Sequence, residues 1–464
     1  MGLSRASADL AEVIVLNTCT VTSAADQDAR AAVRRIRRLN PSAKVIVTGC
    51  YAQRAPDEVA ALPGVSAVIG NSHKHRLAEI ALADGEFGQR RDVADEPLPF
   101  VPLSALIRDE KPGTERATGT AVFVSDIFAH TELLAAPVFE SSSFSAERTR
   151  PNLKVQDGCD NRCSFCVIPS VRGHSRSLPL DRILEEVRAL VSAGYRELVL
   201  SGINLGRWGR DLDGGPQIIS RGLPSLIRAI LAETSLQKLR ISSVEPMDWS
   251  DELISLVASS SRIAKHAHVP LQSGSDTVLR RMHRKYRPWH YRAKIEAIHA
   301  AMPTAAIGAD VMAGFPGETD AEFEETRRLI EDLPFTYLHV FTYSARPGTP
   351  AASMPNQVPA SVARERNRIL RELGAAKHSK FMRSFVGKNL DAITLGKVCG
   401  EPGGEYTEAL TDNYLKLSLR GTHAPNRWLK ARIESSSNES LKGAVFAPTQ
   451  TPIELVEPSF AGQC

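Results

Sequence analysis

Long apolar runs, a strong charge of one sign and an even set of cysteines are all missing from this sequence. No run of eighteen apolar residues occurs, which excludes a transmembrane helix. The net charge over 464 residues is only +4, too mild to establish a nucleic-acid partner, although clustered positive charge would permit one. Seven cysteines in so long a chain do not resemble a disulfide framework. We therefore expect a cytoplasmic protein without membrane association.

The cysteines that are present are unevenly placed. Cys159, Cys163 and Cys166 stand within eight positions, so one short loop can direct three thiolates at a single centre. A [4Fe-4S] cluster held by three thiolates keeps one iron open for a small molecule. Closed zinc sites usually use two Cys-x-x-Cys pairs, and no second pair lies nearby. Gly158 and Pro169 favour turns over a helix with three buried thiols. The spacing indicates a cluster, with zinc or a structural role as the alternatives.

Apolar runs and helical stretches alternate along most of the chain. They predict an α/β protein with a small N-terminal α/β domain over residues 1–125 and a linker over 126–150, the polar stretch that follows an acidic, proline-rich segment at 92–102. Six strand–helix units between residues 151 and 380 suit a parallel sheet curled into a partial (β/α)6 barrel. Ligands of such sheets bind at the C-terminal ends of the strands, and the cysteine loop directly follows the first of them.

The last part of the chain, residues 383–448, is of a different kind. Short apolar runs at 390–395, 406–410 and 414–419 are separated by glycines, a pattern that predicts an all-β, OB-like barrel. Lysines and arginines give this domain positive charge. A solvated barrel surface explains that charge as well as an RNA contact does.

The spacing Cys-x-x-x-Cys-x-aromatic-Cys, with Phe165 as the aromatic residue, resembles the radical S-adenosylmethionine (radical SAM) superfamily. The longer run from Arg148 to Gly173 is similar to the methylthiotransferases, most of all to those that act on threonylcarbamoyladenosine in tRNA. The resemblance extends over about residues 13–446, and the last domain resembles the TRAM domain, an RNA-binding barrel.

This resemblance implies an enzyme that adds a methylthio group to C2 of N6-threonylcarbamoyladenosine at position 37 of tRNA. Two related activities remain open: methylthiolation of a ribosomal-protein aspartate and of isopentenyladenosine in tRNA. An alternative of another class is an RNA-binding iron–sulfur protein without turnover. The implied partners are the tRNA anticodon loop and an electron donor such as flavodoxin or ferredoxin.

The resemblance also assigns roles to residues. Cys159, Cys163 and Cys166 would bind the radical [4Fe-4S] cluster, and S-adenosylmethionine would occupy its open iron. Polar residues and a glycine at the strand ends would hold that cofactor: Gly202, Asn204, Glu245, Gln272 and Asp310. A carboxylate such as Asp310 inside an apolar strand is costly unless it is paired, which favours a functional role. For the serines that precede Glu245, capping of the following helix is the competing explanation.

Two further cysteines, Cys19 and Cys50, each follow an apolar strand, so their thiols should face the same edge of the first domain. As isolated residues, they are typical of buried cysteines without a metal or disulfide partner. The resemblance instead implies a second, auxiliary [4Fe-4S] cluster that the family holds with three cysteines. The first strand and first cysteine of the family pattern have no counterpart before Val13. We therefore expect either a start codon assigned too late or a truncated chain. If the sequence is literal, the auxiliary cluster has two protein ligands.

Two other features remain open. Residues 280–292 interleave cations with aromatic side chains, a pattern that suits either an RNA contact or a structural role. His339 and Arg346 lie near predicted strand ends as polar groups without an assigned role.

Overall fold

The structure is a computed structural model that describes residues 6–82, 120–130, 149–212, 222–401 and 404–446. The acidic stretch at 92–102 and most of the predicted linker, residues 131–148, lie outside the described residues. Within the described ranges, no helix is long and apolar enough to cross a membrane.

The N-terminal domain is built on one parallel sheet whose strands follow the order of the chain. Its strands are β1 (Val13–Thr18), β2 (Lys44–Gly49), β3 (Val65–Ile69) and β4 (Ala121–Phe123). Its helices are α1 (Ser23–Leu39), α2 (Cys50–Arg54), α3 (Pro56–Ala60) and α4 (Leu77–Leu82). Thr18 of β1 pairs with Gly49 of β2. Cys19 and Cys50, the next residues, therefore leave the sheet at the same edge, as the sequence predicts.

Local signals explain the start and the packing of α1. The side chain of Thr22 caps the helix by accepting a hydrogen bond from the backbone nitrogen of Ala25. Ala29, Val33 and Ile36 lie on one helix face at spacings of four and three residues, and they pack with β2 in a small core. The first turn of α1 thereby ends up beside the sheet edge that carries both cysteines.

The central domain is a partial barrel of six parallel strands in two halves. The strands are β5 (Asn152–Asp157), β7 (Glu197–Gly202), β8 (Lys238–Ile241), β9 (His266–His268), β10 (Ala306–Ala313) and β11 (Tyr337–Thr342), with the two-residue strand β6 (Arg176–Ser177) antiparallel beside β5. A parallel bridge between Ser243 and His268 connects the halves. The helices of this domain are α5 (Ile168–Arg172), α6 (Leu180–Ser192), α7 (Leu223–Glu233), α8 (Asp251–Ser259), α9 (Asp276–Arg281), α10 (Pro288–Ala301), α11 (Asp320–Asp332) and α12 (Ala360–Arg383). The predicted (β/α)6 barrel is confirmed.

Side chains alternate between the two faces of the barrel strands. Leu198 and Leu200 of β7 and Ile307 of β10 are fully buried in the core between strands and helices. On each strand, the side chains that alternate with these core residues point into the barrel, and most of them are polar. His266 and His268 of β9 are examples, and both are buried. The barrel interior is thus a polar space enclosed by an apolar shell.

The C-terminal domain is a closed barrel, in agreement with the predicted all-β fold. Its strands are β12 (Asn389–Glu401), β13 (Gly404–Thr411), β14 (Lys416–Arg420), β15 (Trp428–Ser436) and β16 (Leu441–Val445). The third predicted strand was placed too early: Tyr414 has φ 66° and belongs to the turn between β13 and β14.

That turn closes the N-terminal end of the central barrel. Arg240 of β8 donates to the carbonyl oxygen of Asp412 at 3.1 Å, and Asn413 donates to the carbonyl of Thr304 at 3.0 Å. The ring of Tyr414 packs against His266 with centroids 4.7 Å apart. This turn therefore covers the barrel interior at the N-terminal ends of the strands.

Candidate functional site

The loop that carries Cys159, Cys163 and Cys166 follows β5 without forming a helix. Gly158 has φ +70°, and a Cβ at this position would lie 1.8 Å from the carbonyl oxygen of His174, so only glycine allows the turn. The backbone nitrogen of Cys159 donates to the carbonyl of Gly173 at 3.1 Å. These backbone contacts hold the loop in a shape in which none of the three cysteines forms a disulfide bond.

The spacing of the three sulfurs tests which metal group fits. A tetrahedral zinc ion with Zn–S bonds of about 2.3 Å would hold its sulfurs about 3.8 Å apart. Among the described residues, the only trio of histidine, cysteine or acidic side chains with ligand atoms within 4.8 Å of one another is His268, Asp310 and His339. The three loop sulfurs do not form a closed zinc site in the described residues as they stand. A cluster suits a wider spacing, because it binds each thiolate through a different iron.

Burial affects the protonation of these thiols. It raises the pKa of Cys159, and it raises the pKa of Cys166 to about 12. Neither thiol ionises readily in a buried site without a positive partner. A bound metal supplies that charge, which also fits a cluster.

Polar groups surround the sulfurs at the ends of the next strands. Asn204 lies with its Nδ2 3.6 Å from the sulfur of Cys159, and its Oδ1 is buried without a hydrogen-bond partner in the described part of the chain. Arg284 lies 3.3 Å from the sulfur of Cys163 and forms an ion pair with Glu245. An adjoining cleft is lined by Asn161, Cys163, Arg207, Glu245, Met247, His283, Arg284, Lys285 and Tyr286. A carboxylate and several cations beside the sulfurs complement the two charged ends of an amino-acid ligand.

The other predicted cofactor residues lie elsewhere on the barrel. Gly202 ends β7, where a Cβ would lie 3.0 Å from the Oε1 of Gln156, so this glycine serves close packing within the barrel. Gln272 is buried with φ 62°, and its Oε1 has no partner among the described residues. Asp310 lies inside the barrel and contacts His268 and His339. The serines before Glu245 do not cap α8, because Ser250 does so.

One of the two N-terminal cysteines, Cys50, lies against the segment that follows Cys166. Cys50 is buried and packs with Val167 and Val171, which follow Cys166 in the chain. Arg172 donates from Nε to the sulfur of Cys50 at 3.1 Å and contacts Asp157, the last residue of β5, at 3.4 Å. Burial lowers the pKa of Arg172, but the charges of Cys50 and Asp157 raise this pKa by more, so that the net shift is upward. One guanidinium thus connects the two cysteine sites.

Comparisons with known proteins agree with this geometry. Residues 153–330 match the Radical SAM superfamily, and residues 2–70 match Uncharacterized protein family UPF0004. Threonylcarbamoyladenosine tRNA methylthiotransferase MtaB of Bacillus subtilis (strain 168) is 35% identical over 413 residues, which cover 89% of this chain and 83% of that protein. The tRNA-2-methylthio-N(6)-dimethylallyladenosine synthase of Novosphingobium aromaticivorans is 35% identical over 395 residues, covering 84% and 80%. The chain belongs to the radical SAM methylthiotransferase family.

Among solved structures, the radical S-adenosylmethionine methyltransferase TsrM from Kitasatospora setae aligns with a TM-score of 0.47 and 16% identity, covering 74% of this chain and 64% of that chain. As a radical SAM methylthiotransferase, the protein is a transferase that uses a [4Fe-4S] cluster and S-adenosylmethionine.

A buried ion pair joins the N-terminal domain of this methylthiotransferase to its barrel. Arg346, after β11, pairs with Asp26 of α1, and the two side chains are only 3% and 6% exposed. Arg346 also donates to the Oγ1 of Thr20, the neighbour of Cys19, at 2.8 Å. Arg54 of α2 completes the group at 3.0 Å from Asp26. The loop that carries Cys19 is thereby fixed to the rim of the barrel.

Sequence reasoning missed several arginines of the methylthiotransferase site. Arg172 lies within the motif that carries the family resemblance, but nothing local shows that it reaches Cys50. Arg284 lies in the basic stretch at 280–292, where it is buried beside the sulfur of Cys163 rather than on a surface. Other cations of that stretch form internal ion pairs, such as Arg281 with Glu322 and Arg287 with Asp276. The structural explanation of the stretch therefore accounts for much of its charge.

Proposed function

We propose that the protein adds a methylthio group to C2 of N6-threonylcarbamoyladenosine at position 37 of tRNA. The MtaB relatives of Bacillus subtilis (strain 168) and Rickettsia prowazekii (strain Madrid E), 35% and 36% identical, carry the corresponding name. The carrying observation is the meeting of two cysteine sites at one barrel mouth, through the contacts of Arg172 with Cys50 and Asp157. A methylthio transfer needs both a radical and a sulfur source at the same substrate atom.

In this proposal, Cys159, Cys163 and Cys166 hold the radical cluster, while Cys19 and Cys50 belong to an auxiliary one. When bound, the radical cluster supplies the electron that reductively cleaves S-adenosylmethionine. Asn204 and the Glu245–Arg284 pair orient the amino and carboxylate groups of that cofactor beside Cys163. Gln272, whose Oε1 has no hydrogen-bond partner among the described residues, would contact the cofactor from the segment after β9, and Gly202 permits close packing beside Gln156.

The substrate base enters from the open end of the barrel, because the turn at Tyr414 closes the other end. The target base must leave its stack to reach the interior, which costs less in a single-stranded anticodon loop than in a duplex. The C-terminal barrel adds positive charge for the RNA backbone. With tRNA as the substrate and flavodoxin or ferredoxin as the electron donor, we expect the enzyme to act in the cytoplasm.

A second candidate substrate is isopentenyladenosine in tRNA, since the Novosphingobium relative is named a dimethylallyladenosine synthase. The direct test is anaerobic reaction of the reconstituted protein with transcripts that carry either modified adenosine, followed by mass spectrometry of the nucleosides. We expect the 2-methylthio product from the threonylcarbamoyl substrate only. Product from the isopentenyl substrate alone would overturn the assignment, and absence of both products with normal 5′-deoxyadenosine formation would refute methylthiolation of tRNA.

A further inference from the structure

A layer of polar side chains lies inside the barrel, below the rim that carries the cysteine loop. It consists of His268 of β9, Asp310 of β10 and His339 of β11. Asp310 and His339 are register partners, and each stands three residues before the end of its strand. At about 3.3 Å per residue, the layer lies about 10 Å below the rim. This is the space that a base substituent would enter.

One side of the polar layer is closed and the other is open. On the closed side, the Oη of Tyr337 lies 2.7 Å from the Nε2 of His266 and 2.9 Å from the Nδ1 of His268. The ring of Tyr414 packs against the rings of His266 and Tyr337. On the open side, the side chain of His339 is 57% exposed. His339 is therefore the most accessible of the three residues of the layer to a ligand, since the side chains of His268 and Asp310 are 9% and 24% exposed.

The nitrogens of the two histidines differ in their availability. Both ring nitrogens of His268 have a polar partner: Nδ1 contacts the hydroxyl of Tyr337, and Nε2 lies 3.1 Å from the carboxylate of Asp310. His339 directs Nδ1 at the same carboxylate oxygen, 3.3 Å away. Its Nε2 has no hydrogen-bond partner in the ranges that the structure describes. One ring nitrogen of this layer is therefore free for a ligand.

The carboxylate of the layer stays ionised. Although burial raises it, contacts with His268 and His339 hold the pKa of Asp310 well below its usual range. The ionised carboxylate of Asp310 accepts a hydrogen bond from Nδ1 of His339 and thereby orients the imidazole ring. When the imidazole is protonated, its Nε2 can also donate a hydrogen bond to an anionic group of a ligand. His339 then lies between that anionic group and Asp310.

We propose that His339, oriented by Asp310 and His268, binds the carboxylate of the N6 substituent on the target adenosine and selects it over alkyl substituents. This inference rests on the proposed function and deepens it. A threonylcarbamoyl group carries a carboxylate and a hydroxyl that satisfy the polar layer. A five-carbon alkyl group would cover the same donors without hydrogen-bonding them, and sites built for a polar group reject such analogues.

Two histidines and one carboxylate are also a donor set for a divalent metal ion. Histidines that bind a metal almost always use the other ring nitrogen to hydrogen-bond a neighbour. His268 has such a neighbour, but the Nε2 of His339 lacks one among the described residues. We therefore favour direct contact of His339 with the substituent, and metal-mediated contact becomes an outcome of the test.

The test measures binding and turnover of the holoenzyme with anticodon stem-loops that carry threonylcarbamoyladenosine, isopentenyladenosine or adenosine at position 37. We expect the wild type to bind the first about 10- to 150-fold more tightly than the third, the range of one charge-assisted hydrogen bond. His339→Leu should remove this preference and raise KM more than it lowers kcat. His339→Gln keeps a donor and should retain part of it. His299→Leu, an exposed histidine on the outer helix α10, serves as the matched control and should change nothing.

A substrate-side variant keeps the test valid if His339→Leu fails to fold: the wild type should bind the methyl ester of the threonylcarbamoyl stem-loop no better than the adenosine stem-loop. Retained preference in His339→Leu, or for the ester, overturns the proposal. Loss of the wild-type preference after chelation of divalent ions also overturns it, in favour of a bound metal. Preference without any methylthio product would refute the proposed function alone, and product without a His339-dependent preference would refute this inference alone.

Discussion

The two cysteine sites of this molecule are built in opposite ways. Cys159, Cys163 and Cys166 come from a single loop of eight residues, shaped by one glycine turn and by backbone hydrogen bonds. Cys19 and Cys50 follow the ends of two strands, and they emerge at the same edge of the sheet because Thr18 and Gly49 are register partners. The first site is local in the chain, whereas the second exists only in the folded sheet.

This difference extends to the groups that support each site. Cys50 depends on Arg172, which is 122 residues away in sequence. The loop of Cys19 depends on the ion pair of Asp26 with Arg346, which is 320 residues away. The local site should therefore tolerate changes at domain contacts, while the auxiliary site should respond to them. Three substitutions sharpen this comparison.

The largest effect should come from Cys163→Ser, which removes one thiolate of the local site. We expect loss of about four irons per chain and loss of both 5′-deoxyadenosine and methylthio product, because no electron reaches the cofactor. Anaerobic iron analysis and chromatography of the nucleosides measure these quantities. Cys399→Ser in the C-terminal barrel is the control and should retain full activity. Cofactor cleavage at the wild-type rate in Cys163→Ser would show that the loop does not hold the cluster.

An intermediate effect should follow from Cys50→Ala at the auxiliary site. Here the methylthio product should disappear while 5′-deoxyadenosine formation persists, because the radical loop keeps its three thiols. The ratio of product to 5′-deoxyadenosine, measured in one reaction, separates the two sites. Equal loss of both quantities would contradict the separation of the sites that we propose.

The smallest effect should come from Arg346→Met at the contact between the domains. Removing one partner of a buried ion pair costs about 3–5 kcal/mol where the remaining charge is left unpaired. Asp26 keeps Arg54 as a partner, so the loss here should be smaller. We expect faster amide hydrogen exchange in residues 19–26 and a lower ratio of product to 5′-deoxyadenosine, with normal iron in the radical loop.

The control for this prediction is Arg368→Met on α12, whose exposed ion pairs with Glu365 and Glu372 contribute little. Because Arg54 also pairs with Asp26, the triple variant with Asp26→Leu, Arg54→Met and Arg346→Met removes all three charges of the group and should recover part of the lost protection. Unchanged exchange in Arg346→Met would show that the ion pair does not fix the auxiliary loop.

Sequence reasoning was most successful where a signal is local. Three thiols in eight residues, a glycine with positive φ and alternating apolar runs all report on their immediate neighbourhood. They were sufficient for the radical loop, the (β/α)6 barrel and the all-β domain. The turn at Tyr414 shows the limit, because an aromatic residue beside a β-like run predicts a strand, while the structure uses it to plug the barrel.

From the sequence alone one can predict the order of strands and helices, the three clustered thiols and the edge at which Cys19 and Cys50 emerge. The fold adds that Arg172 contacts Cys50 and Asp157, that Arg284 is buried beside Cys163 and that Asp310 contacts two histidines. These contacts join residues that lie far apart in the chain. Spacing fixes contacts within a few residues, but contacts between remote residues depend on strand register and domain packing, which no short pattern encodes.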